Sequence, residues 1–110
     1  AMHQIVAWGV DSVTLQPGVV LRDLQHQAAT RSLRFPAAPT HDGATIGGMV
    51  TTNAAGAATF KYGSTRPWVR GLSIVLADGD VLDLRRGRHF FGADDTFVLH
   101  RIDGTTTRLV

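Results

Sequence analysis

Between Pro36 and Gly63 the chain reads PAAPTHDGATIGGMVTTNAAGAATFKYG. This stretch has too little bulk to form a core and too much glycine to be one regular element. Gly43, Gly47, Gly48 and Gly56 allow close approaches that a Cβ would block, and Thr40, Thr45, Thr51, Thr52 and Asn53 place short polar groups between them. Such a stretch wraps a ligand carrying phosphates or sugar hydroxyls, or it forms a long surface loop kept supple by small residues. Glycine content alone fits both readings, so order and neighbours must decide between them.

A chain of 110 residues, 44% of them hydrophobic, is long enough for one small domain with a modest core. It contains no cysteine, which excludes a disulfide scaffold, thiolate metal sites and cysteine nucleophiles. No apolar run approaches the length of a membrane span, and the start lacks the pattern of a secretory signal, so a cytoplasmic protein is expected. The formal net charge is only +2, and the basic residues cluster only at Arg85, Arg86, Arg88 and His89, a pattern more typical of a solvated turn than of a nucleic-acid site. Nucleic acid is therefore not expected as a partner. Ala1 before Met2 reads as the remnant of an expression tag.

Gln4–Trp8 and Val13–Gln16 are short apolar runs separated by a turn, and they predict two strands. From Val20 to about Arg31, Leu21, Leu24 and Ala28 fall on one helical face, with Asp23 near the start and Arg31 and Arg34 near the end, as the helix dipole favours. This helix should pack on a sheet. Pro36 and Pro39 then hold the chain extended. Ile46–Ala54 suits a short helix opening at Gly47 and Gly48, whose unpaired first amides would face a phosphate or pyrophosphate, with a hydroxyl from Thr45 beside them. The spacing fits neither GxGxxG after a strand nor GxxxxGK[ST]. Further on, Leu72–Ala77 and Val81–Leu84 flank Asp78 and Gly79 as a hairpin, and a second hairpin is expected at Asp103 and Gly104 between Phe97–Ile102 and Thr105–Val110. The sum is an α+β domain with a mainly antiparallel sheet and flanking helices. Val110 falls inside a strand pattern, so the C-terminus looks cut.

Five segments in order, QPGV (Gln16–Val19), LRFPAAPT (Leu33–Thr40), ATIGGMVTTNAAG (Ala44–Gly56), KYG (Lys61–Gly63) and GLSIVLADGDVL (Gly71–Leu82), resemble the second subdomain of the FAD-binding domain of FAD-linked oxidases. This is the vanillyl-alcohol oxidase superfamily, and the style is that of its glycolate oxidase subunit and D-lactate dehydrogenase branch. The resemblance covers Val13–Leu84 and implies FAD as cofactor. By it, Pro39 and Thr40 run along the flavin, and Thr45, Ile46, Gly47 and Gly48 lie against the ribityl and pyrophosphate part. Thr52, Asn53 and Gly56 also face the cofactor, Tyr62 and Gly63 shape its pocket, and the strand with Ile74 and Val75 passes it with backbone contacts. Each position has a plainer role open to it: Tyr62 as a packed aromatic, Asn53 as a helix or turn cap.

The glycine-rich pyrophosphate loop of the family's first subdomain and its substrate cap domain have no counterpart in this sequence, and no family motif matches residues 85–110. The expectation is a partial FAD-binding domain over residues 1–110: a fragment of an FAD-dependent oxidoreductase that would oxidise a 2-hydroxy acid of the glycolate or D-lactate type. The missing first subdomain and cap domain would be its partners, and FAD would bind weakly or not at all to the fragment alone. In such enzymes the flavin takes a hydride and protein groups hold the carboxylate and accept the hydroxyl proton. His3, His26, His41, His89 and His100 are too dispersed for a metal site, and no catalytic residue is assigned. His41, within the cofactor stretch, reads first as a solvent-exposed side chain and second as a candidate flavin-side group. A reading of another class is a non-catalytic fold that self-associates through the exposed half-site as a homo-oligomer.

Overall fold

The computed structural model describes residues 2–88, 93, 97–101 and 104–109, and it divides into two compact units, residues 1–68 and 69–110. In the first unit, β1 (Ile5–Trp8) and β2 (Val13–Leu15) pair antiparallel with a bulge between Ile5 and Ala7. Helix α1 spans Leu21–Ala29, and Leu21, Leu24 and Ala28 are its buried residues, the face that their spacing predicts. The helix is shorter than the predicted Val20–Arg31 because the chain turns at Ser32, whose φ of 57° is left-handed. The amides of Ser32 and Leu33 close on the carbonyls of Ala29 and Ala28, at 3.1 and 2.9 Å. Arg31 and Arg34 thus lie beyond the helix, and Arg31 stacks on the Trp8 ring at 4.6 Å.

Helix α2 (Ile46–Thr52) starts beside α1, and the two lead-in segments bond to each other. Val20 and Thr45 form an antiparallel bridge. Around it, Leu21 N–H donates to the Ala44 carbonyl (2.9 Å), Arg22 N–H to Asp42 (3.0 Å), Ile46 N–H to Val19 (2.8 Å) and Gly47 N–H to Pro17 (2.8 Å). Each helix therefore has orphan amides satisfied by the strand entering the other. The Arg22 guanidinium reinforces this junction with two bonds to the Asp42 carboxylate, at 3.0 and 2.8 Å. Val19, Leu21, Leu24, Ala28, Ala37 and Met49 form the buried core of this unit. Met49 is 1% exposed, and burial of a side chain of that size stabilises by about 1.5–3 kcal/mol. A single turn of helix, α3 (Thr59–Tyr62), and a 3₁₀ turn at Arg66–Trp68 complete the unit.

In the second unit β3 (Gly71–Val75) and β4 (Val81–Arg85) pair antiparallel in unbroken register from Gly71 opposite Arg85 to Val75 opposite Val81. The predicted turn is present, with Gly79 at φ 84°. Arg101 bridges Leu82 by backbone and Asp78 and Asp80 by side chain, at 2.8 and 3.1 Å. Strands β5 (Phe97–His100) and β6 (Thr106–Leu109) form the second hairpin, its turn including Gly104 at φ 86°, while Ile102, Asp103 and Val110 lie outside the described residues. Arg86–Arg88 form a turn, as the basic cluster suggests, and His89 is outside the described residues.

The class is α+β, and among the described residues the strand pairing is antiparallel. Among the described residues the strands form three two-stranded pairs rather than one sheet, each made by strands adjacent in sequence. No helix among them is long and apolar enough to cross a membrane.

Candidate functional site

Eleven of the twelve residues singled out lie in the first unit, and Ile74 lies on β3 in the second, 38% exposed and opposite Leu82. The amides at the start of α2 are occupied. Ile46 and Gly47 donate to Val19 and Pro17, and Gly48 donates to Thr45 Oγ1 at 3.2 Å. The expectation of free amides facing a phosphate is therefore corrected: backbone carbonyls from the segment before α1 already fill that role. Thr45 is the N-cap, accepting rather than donating in this contact.

The glycines divide by what surrounds them. A Cβ on Gly47 would lie 2.7 Å from Pro17 Cβ and 3.1 Å from its carbonyl oxygen, and one on Gly56 would overlap the Ala38 carbonyl and stand 2.8 Å from Pro39 Cα. Both are glycine because the chain's own backbone passes there, which also brings Pro39 and Gly56 together. Gly63 adopts φ 73° with nothing near its Cβ position, so its need is conformational. Gly48 alone of these four is exposed, and its Cβ would meet only Thr45 Oγ1, at 3.1 Å. It leaves bare backbone open to an incoming group.

The hydroxyls around Gly48 have a defined polarity. Thr51 donates to the Gly47 carbonyl at 2.8 Å and Thr52 to the Gly48 carbonyl at 2.9 Å, each one turn back. Their oxygens keep acceptor capacity, and Thr45 keeps its hydroxyl proton. Thr45, Gly48, Thr51 and Thr52 are all exposed. This face can accept hydrogen bonds from a polyhydroxylated ligand better than it can donate them to a phosphate.

Other singled-out residues have structural duties. Asn53 ends α2 in the left-handed conformation, and its Oδ1 accepts from Arg66 N–H at 2.9 Å. Thr65, 2% exposed, clamps the same region by donating to the Ala54 carbonyl from both N–H and Oγ1. Thr40 and His41 are exposed. Tyr62 is half-buried, its carbonyl accepting from Trp68 Nε1 at 3.0 Å, and the cations of Lys61 and Arg34 stand 5.1 and 5.9 Å from its ring centroid. The sequence reading gives Arg34 only a helix-end role. Arg34 directly precedes Phe35, whose N–H and carbonyl are both held by the Gln25 amide, a contact that no local sequence signal gives. A separate cleft of about 480 Å³, lined by His3, Asp23 and His26 among others, contains none of the singled-out residues. Among the described residues no three His, Cys, Asp or Glu side chains gather as metal ligands.

The exposed backbone at Gly48, bordered by threonines, is a surface that a hydroxyl-bearing ligand can approach. Residues 2–85 match the FAD binding domain model, and the chain belongs to that family, the FAD-linked oxidases, with FAD as cofactor. It is 39% identical over 85 residues to D-lactate dehydrogenase of Anaerostipes hadrus, covering 76% of this chain and 18% of that protein. Against D-lactate dehydrogenase of Archaeoglobus fulgidus it is 38% identical over 88 residues, 80% of this chain and 20% of the relative. Against glycolate oxidase subunit GlcD of Bacillus subtilis it is 39% identical over 84 residues, 74% of this chain and 18% of the relative. The chain thus spans only 18 to 20% of the length of these relatives. No solved structure gives a significant match.

Proposed function

We propose that this chain is the second subdomain of an FAD-binding domain and supplies part of the FAD site of an oxidoreductase acting on a 2-hydroxy acid of the D-lactate or glycolate type. The substrate class rests on the names of the relatives, and the site rests on one observation, the open backbone at Gly48 bordered by Thr45 and Thr52. The ribityl hydroxyls suit this face, because Thr51 and Thr52 have already given their protons to the helix and retain acceptor lone pairs. Pro39, Thr40 and Gly56 border the same cofactor, Ile46, Gly47 and Asn53 hold the α2 scaffold in place, and Tyr62 and Gly63 shape the flavin pocket. When bound, FAD supplies the hydride-accepting ring. This chain's part is to bind and orient.

With part of the contacts of a whole site, the chain alone binds FAD at roughly tens of micromolar, where a whole domain would reach nanomolar. A thermal-shift titration to about 1 mM FAD, with ADP and riboflavin as controls, then gives about 2 kcal/mol of stabilisation, several degrees in a domain this small. Riboflavin, which carries the ribityl chain without phosphates, should reproduce more of the shift than ADP. No shift with FAD contradicts the reading.

Self-association is the second reading, favoured by the full exposure of Phe60 and the 97% exposure of Val10. Light scattering across a concentration series decides it, since a monomer at every concentration excludes it.

A further inference from the structure

Arg22 is paired with Asp42, and Arg31 lies over Trp8. Arg34 and Lys61 share one ring: both are exposed, both lie within 6 Å of the Tyr62 ring centroid, and neither has an acidic partner among the described residues. Two like charges within 6 Å of one ring centroid and without a paired acid among the described residues raise the local positive potential, which favours an anion near them. The arrangement is anchored from both sides. Gln25 holds the Phe35 backbone next to Arg34 at 2.7 and 3.1 Å, and the Trp68 indole holds the Tyr62 carbonyl at 3.0 Å. The Phe35 and Trp68 rings meet edge to face at 6.4 Å, joining the two anchors.

We propose that Arg34 and Lys61, set about the Tyr62 ring, form an oxyanion subsite that takes a carboxylate or phosphate group. Its role in the enzyme rests on the proposed FAD site, in which Tyr62 borders the flavin pocket. There the anion is the carboxylate of the 2-hydroxy acid or a phosphate of the nucleotide cofactor. The guanidinium offers a planar pair of donors to either, and the ammonium adds a point charge.

The two tryptophans provide a built-in reporter and control, since the Trp68 indole touches Tyr62 and the Trp8 indole lies under Arg31. In ¹H–¹⁵N correlation spectra at constant ionic strength, D-lactate is titrated to about 50 mM and ADP separately, as weak binding by exposed cations requires. The expected result is a saturable shift of the Trp68 indole and of the Tyr62 and Gly63 amides, with Trp8 unmoved. Arg34→Gln or Lys61→Gln weakens that response about fivefold, the loss of one exposed charge contact, and Arg31→Gln leaves it unchanged. A response to lactate assigns the subsite to a carboxylate, and one to ADP assigns it to phosphate. Absence of a saturable shift with both anions, or a shift that survives both Arg34→Gln and Lys61→Gln, overturns the proposal. The readout needs no bound flavin, so an anion response without a thermal shift by FAD marks failure of the cofactor reading and not of the subsite.

Discussion

Gly48 and Gly56 belong to one glycine-rich stretch and do opposite jobs. At Gly56 the Cβ of an alanine would overlap the Ala38 carbonyl, so Gly56→Ala should cost about 1–3 kcal/mol, read as a lower urea midpoint. At Gly48 the Cβ meets only the Thr45 hydroxyl oxygen, and alanine is the better helix former by about 0.5–1 kcal/mol, so Gly48→Ala should not lower the midpoint. Asp42 supplies a pH-dependent contact in the same stretch. Hydrogen bonding to the Arg22 guanidinium is the largest cause holding its carboxyl below the usual carboxylate range. A depressed folded-state value means stability that is present above the unfolded-state pKa and lost as pH falls through the folded one. Asp42→Asn should therefore lower Tm near neutral pH, and the gap to the native protein should close as pH falls below the ordinary carboxylate range. Thermal scans across that range check it.

At the scale of elements, the junction of α1 and α2 sets what the glycine stretch can do. Thr45→Ala removes the cap on Gly48 N–H and should cost about 1 kcal/mol, measured by chemical denaturation. Ser32, left-handed at the end of α1, should give the reverse effect: Ser32→Gly relieves a strained φ and should stabilise by about 0.5–1 kcal/mol. Much of the element order was legible in the sequence. The spacing of Leu21, Leu24 and Ala28 marks the buried face of α1, and Asp78–Gly79 marks the turn between β3 and β4. These are local signals, set by helical period and turn chemistry. The fate of the α2 amides was not legible, because it depends on Pro17 and Val19, which reach Ile46 and Gly47 only once the chain has folded. The same holds for Arg34: helix-dipole reasoning places it at a helix end, whereas Ser32 turns the chain and Gln25 fixes the next residue.

At the scale of the molecule, the proposed FAD contact lies on one face of α2. The family supplies FAD, and the structure removes the helix-mouth phosphate contact while leaving the Thr45–Gly48–Thr52 face open. What results is a scaffold in which Gly47 and Gly56 serve internal packing, Gly63 a positive φ, and Gly48 stands exposed on α2. Titration calorimetry with FAD, on the native chain and on Gly48→Ala side by side, addresses that face directly. The expected result is binding at roughly tens of micromolar for the native chain and at least about tenfold weaker binding for a fully folded Gly48→Ala variant. Equal affinity in the two proteins would contradict the assignment of the α2 face to the cofactor.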